Sequence, residues 1–93
     1  GYFVVAHRSK FNVESRDEYL KIASPAILAV GGKVLASNDK VFAYENGLIE
    51  RVVLVEFVSF EVAKKFYNSQ EYQKALAVLK DGADRDFRII EGV

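Results

Sequence analysis

The chain has 93 residues, 51% apolar and 28% charged, with 13 basic side chains against 13 acidic ones. Its length sets the expectation of one domain, residues 1–93, that buries roughly 60–65% of its unfolded surface. The balanced charge, with no basic stripe, argues against a nucleic-acid partner.

No apolar run nears the roughly 18 residues of a membrane span, so no membrane partner is expected. Without cysteine and with a single histidine, disulfides, thiol nucleophiles and the usual zinc sites drop out, and no metal or cofactor is expected. Neither a signal peptide nor an Asn-x-Ser/Thr sequon is legible, which makes the cytoplasm the expected location. Gly1 in place of methionine fits a removed initiator or an expression remnant better than a lost targeting segment.

Tyr2 to Ala6 is a strand signal that ends in His7-Arg8. Beyond a polar loop, Ser15-Arg16-Asp17-Glu18 fits a capping box with Ser15 as N-cap. Tyr19, Ile22, Ala23, Ala26, Ile27 and Val30 then recur at helical spacing along one stripe. Pro25 interrupts that stripe and forfeits the bond to the Lys21 carbonyl, so a kink at Ser24 or two short helices are both open. Gly31-Gly32 supplies a left-handed stop.

Lys33 to Ala36 reads as a strand, broken by Ser37-Asn38-Asp39 and resumed over Val41 to Glu45. Asn46-Gly47 predicts a two-residue hairpin turn that sets Glu45 opposite Leu48 and Ala43 opposite Glu50. The returning arm runs from Leu48 to Phe57, and its Arg51 to Phe57 stretch is too apolar and β-branched for anything but an inner strand. Ser59 caps a helix with Ala63, Phe66 and Tyr67 inward. Asn68-Ser69 interrupts it, and Ser69 recaps a stretch with Tyr72, Leu76 and Leu79 that Gly82 stops. Phe87 to Glu91 is the last strand.

The order β-α-β-β-α-β predicts an α+β fold, the ferredoxin-like sandwich: a four-stranded antiparallel sheet with its helices on one face and spatial order 4-1-3-2. A sheet with one wet face should alternate apolar and polar residues. These strands do not. Phe3, Val5, Val53, Val55, Phe57, Phe87 and Ile89 share one parity, and Val4, Ala6, Val52, Leu54 and Ile90 share the other. Parity alone leaves open which set meets the helices. The uncovered face would expose on the order of 500 Å² or more of apolar surface, which predicts a homodimer that pairs two open sheet faces. At about 25 cal/mol per Å², that pairing yields a gross gain on the order of 20 kcal/mol before association costs.

Leu54-Val55-Glu56-Phe57, Ser59, Phe66 through Gln73 and the closing Glu91-Gly92-Val93 resemble the bacterial family named domain of unknown function 1330, and the match extends through Gly31-Gly32 over essentially the whole chain. The resemblance implies the dimeric α+β barrel superfamily, whose members pair their sheets across a two-fold axis and bind ligands between helices and sheet. The chain departs from the family pattern at several positions. Gln70 stands where proline is frequent, Val30 where histidine is common, Ser37 and Lys80 where arginine is common. If those family residues hold an anion, part of that site is missing here.

Five side chains are candidate ligand contacts: His7, Tyr19, Glu56, Tyr67 and Tyr72. Glu56, inside a buried strand, is either a base with a raised pKa or a carboxylate paired at the strand end. His7 is a proton shuttle or a structural side chain. Antiparallel geometry sets it near Arg51 and Val52 while Glu56 lies near Tyr2 and Phe3, so no His7–Glu56 dyad is expected. Asp86 is the better neighbour for His7 or Arg8. The three helix-stripe tyrosines line a pocket or simply fill the core. No catalytic triad, phosphate loop or nucleotide fingerprint is legible. The function reading is a small dimeric protein that binds a polar or aromatic metabolite, with a non-catalytic structural or interaction module as the alternative.

Overall fold

A computed structural model describes residues 1–8, 12–79 and 83–93. The elements are β1 (Tyr2–His7), α1 (Val13–Ala29), β2 (Lys33–Asn38), β3 (Val52–Glu56), α2 (Phe60–Tyr67), α3 (Gln70–Leu79) and β4 (Arg85–Ile90). The sheet is antiparallel in the order β2-β3-β1-β4, which is the expected 4-1-3-2. Gly82 and Lys80 lie outside the described residues.

The set with Phe3, Val5, Val55 and Phe57 meets the helices, where these four join Ala23, Ile27, Ala63, Phe66, Tyr72 and Ala75 in one buried cluster. Phe3 is its hub, with ring centroids of Phe57 at 4.6 Å, Phe87 at 4.7 Å, Tyr72 at 5.9 Å and Phe66 at 6.0 Å. Tilted and edge-on ring pairs of this kind add to plain area burial. Val4, Ala6, Val52 and Leu54 are half-buried on the other face, beside the exposed Ile90.

Helix α1 starts earlier than the capping-box reading had it. Asn12 is the N-cap and its side chain accepts from the Ser15 amide at 3.0 Å, so Ser15 lies inside the first turn. An asparagine oxygen caps as well as a serine hydroxyl, and the choice between them falls to where the chain enters the helix. The helix runs unbroken through Pro25, which excludes two separate helices. Pro25 is exposed, so the Lys21 carbonyl it leaves without a backbone donor can turn to water.

The stop at Gly31 is as expected. Gly31 takes φ +77°, its amide donates to the Leu28 carbonyl at 3.0 Å, and the Gly32 amide donates to the Ile27 carbonyl at 2.8 Å. That bond pair is the Schellman arrangement. Ser59 and Ser69 also cap as expected, accepting from the Val62 amide at 3.0 Å and the Tyr72 amide at 3.3 Å.

Two expectations for the 33–57 stretch are corrected. β2 does not break at Ser37 but continues to Asn38, and the irregularity lies at Leu35, an extra residue between the Val34–Val55 and Ala36–Leu54 pairs. The hairpin register is not formed either, because the ladder ends at Asn38–Val52. The turn centres on Glu45-Asn46, with Glu45 at φ 55° and the Gly47 amide donating to the Tyr44 carbonyl at 2.9 Å. Residues 40–51, the arm that joins β2 to β3, therefore form no strands, neither over Val41 to Glu45 nor over Leu48 to Arg51.

Candidate functional site

A cleft of about 120 Å³ lies between α1 and the strands. Its floor is apolar, formed by Phe3, Val5, Val53 and Val55 from the central strands, and Leu20, Ala23 and Ile27 of α1 form the opposite wall. All six β2 residues are exposed, so this edge strand borders the cleft without being covered. In a measure where one water needs about 10–15 Å³, the cleft admits on the order of ten non-hydrogen atoms.

The polar groups gather where β1 and β4 meet, the end of β1 that carries His7. Register pairs His7 with Arg85 on the helix-facing side. The Arg85 Nη1 donates to the Tyr72 hydroxyl at 3.5 Å, and that hydroxyl lies 2.7 Å from the Tyr19 hydroxyl. The guanidinium also stands over two rings, 5.4 Å from the Tyr19 centroid and 5.1 Å from the Phe87 centroid. Burial, and next the neighbouring Tyr19, push the Tyr72 phenol well above its ordinary value, so it stays protonated. Arg16, Arg51 and Ser37 complete this end. Arg51 donates to Ser37 Oγ at 2.9 Å and pairs with Asp39 at 3.1 Å.

The Leu35 bulge is what brings Ser37 to the cleft. One extra residue inverts the facing of everything beyond it, so Ser37 pairs with Val53 on the helix side. There the guanidinium of Arg51, the residue before β3, reaches Ser37.

His7, Tyr19 and Tyr72 all line the cleft, and Glu56 and Tyr67 do not. Glu56 stands on the opposite sheet face, across from Lys33, and its Oε2 accepts from the Tyr2 hydroxyl at 3.4 Å. Tyr67 packs its ring against Phe87, Tyr72 and Phe3 and belongs to the core. His7 and Glu56 sit at opposite ends of the β1–β3 ladder, as the antiparallel argument required. Asp86 pairs with Arg8, at 2.7 Å, rather than with His7, because it shares the open face with Ala6. Arg16, Arg51 and Arg85 were not singled out from sequence. Arg85 had a usable signal, since it begins the strand paired with the end of β1.

Among the described residues, no group of three or more His, Cys, Asp or Glu side chains is placed to hold a metal, and no helix is long and apolar enough to cross a membrane.

Residues 1–93 match the family described as domain of unknown function, DUF1330. The chain belongs to that family. No curated protein matches this DUF1330 chain. Solved structures do. A protein of unknown function from Rhodopseudomonas palustris superposes with a TM-score of 0.71 at 14% identity, over 99% of this chain and 81% of the other. A protein from Bacteroides fragilis, described as dimeric, of unknown function and ferredoxin-like, gives 0.55 at 18% identity over 98% and 94%. A structure described as an antibiotic biosynthesis monooxygenase gives 0.53 at 12% identity over 100% and 99%. At these identities the likeness is one of fold.

Proposed function

We propose that this DUF1330 protein binds a small metabolite with a polar or aromatic character in the cleft between α1 and the sheet, and does so as a homodimer of single ferredoxin-like units. The observation that carries the reading is one convergence. His7, Tyr19, Tyr72 and Arg85 meet at one end of a cavity whose floor is apolar. Small-molecule sites have this make-up, an apolar body with a few placed polar groups. The open cleft between α1 and the sheet supports this reading over the structural-module alternative, for which a side-chain-filled interior would speak.

The dimer reading is supported by the half-buried apolar strip Val4, Ala6, Val52 and Leu54 on the open face, and by the dimeric description of the Bacteroides fragilis neighbour. The arm adds to it. Phe42 is 89% exposed and Ile49 76%, with Tyr44 and Leu48 also exposed. Four large exposed apolar side chains on one connecting arm support a contact surface there.

A thermal-shift screen of small aromatic, carbonyl and carboxylic compounds tests the cleft. A ligand at about 100 times its Kd should stabilise the fold by about 2.7 kcal/mol. Leu20→Trp, which fills the cleft from an exposed helix position, should abolish the shift, and Tyr19→Phe should weaken it. Hits that both variants leave unchanged would place binding elsewhere and overturn the reading.

A further inference from the structure

Arg85 raises a separate question. It is half-buried, and its contacts are a phenol and two aromatic rings; among the described residues it forms no ion pair. Withdrawing a guanidinium from water without an anion beside it is costly, and proteins ordinarily offset that cost with a carboxylate. Among the described residues the cleft lining contains Arg16, Arg51 and Arg85 but no aspartate or glutamate. Asp39, which pairs with Arg51, stands outside the lining. The same positive field acts on His7, whose pKa is lowered first by burial and then by Arg85, Arg51 and Arg16.

The direction of the hydroxyl chain points the same way. With the Tyr72 oxygen accepting from Arg85, the Tyr72 proton is free to go to the Tyr19 oxygen 2.7 Å away. Tyr19 then keeps its O–H for a further acceptor. A guanidinium carries five N–H donors and only one is used on Tyr72. In that arrangement Arg85 and the Tyr19 hydroxyl both present donors to the cleft.

We propose that the cleft selects a small monocarboxylate with an apolar body, its carboxylate held by Arg85 and the Tyr19 hydroxyl and its body lying on Val5, Val53 and Phe87. A planar carboxylate matches the guanidinium fork, two N–H groups to two oxygens. Space for on the order of ten non-hydrogen atoms suits a benzoate- or phenylacetate-sized compound, and the apolar floor offers a phosphate's additional oxygens nothing to bond. This rests on the cleft being a binding site at all, and the experiment separates the two claims.

The probes are matched acid and amide pairs, benzoate with benzamide, phenylacetate with phenylacetamide and hexanoate with hexanamide, together with phenyl phosphate. Each is titrated by calorimetry and thermal shift into wild type, Arg85→Met and Leu20→Trp. At least one acid should bind wild type tenfold or more tighter than its amide, and Arg85→Met should erase that preference. Ligand-free Arg85→Met should also melt above wild type, since it removes a buried cation and keeps the stem; a purely structural arginine would lower the melting point instead. Acids and amides that bind alike, with both lost in Leu20→Trp, would overturn the carboxylate assignment and leave the cleft reading standing. Phenyl phosphate binding in preference to every acid would overturn it too. Failure of all probes on wild type would remove the cleft reading and this proposal with it.

Discussion

His7 and Arg85 are cross-strand partners on the helix-facing side of the sheet, and that pairing decides how the histidine titrates. Burial and the three arginines hold its native pKa below the ordinary 6.5. The unfolded chain therefore takes up the proton first as pH falls. Stability is unaffected well above pH 6.5, declines as pH drops through 6.5 toward the lowered native value, and levels off below it. His7→Gln should flatten that part of the stability–pH curve, measured by urea unfolding at closely spaced pH values. An unchanged slope would show that His7 is not the group responsible. Tyr72, protonated throughout this range, serves as a fixed relay between Arg85 and Tyr19.

Helix α1 supplies one wall of the cleft and carries two opposing irregularities. Pro25 sits well inside it and lacks the amide that would reach the Lys21 carbonyl, while Gly31 closes it at φ +77°. Because Pro25 is exposed, Pro25→Ala restores a hydrogen bond without disturbing the core and should stabilise the protein by roughly 1–3 kcal/mol. Gly31→Ala should destabilise it by about 1–2 kcal/mol, the cost of a Cβ in the left-handed region. Chemical denaturation of both variants checks the signs. A destabilised Pro25→Ala would mean that the proline sets a bend on which the packing of α1 against α3 depends. The caps at Ser59 and Ser69 were legible from sequence because capping is local chemistry. The start of α1 was misplaced because Asn12 and Ser15 are both competent caps, and only the entry path of the chain chooses between them.

At the scale of the whole molecule the sheet has an open apolar face, and the arm over residues 40–51 exposes Phe42, Tyr44, Leu48 and Ile49. Pairing two copies should give twice the chain mass by light scattering at micromolar concentration. Leu54→Lys, a half-buried position at the centre of that face, should shift the mass toward that of a single chain with the fold intact by circular dichroism. A wild type that stays monomeric would leave the face and the arm without their proposed cover.

Strand order, helix stripes, the split at Asn68-Ser69 and the separation of His7 from Glu56 all followed from the residues themselves. Each depends on short-range periodicity, on capping or on the geometry of an antiparallel pair. Three things did not follow. Which parity meets the helices is undetermined when both are apolar, and only packing against Ala23, Ala63 and Phe66 selects the Phe3 set. The Leu35 bulge carries no residue signature, yet it turns Ser37 into the cleft. The convergence of Arg16, Arg51 and Arg85 on one cavity comes from three separate stretches of the chain, so it exists only once the sheet and α1 have closed around it.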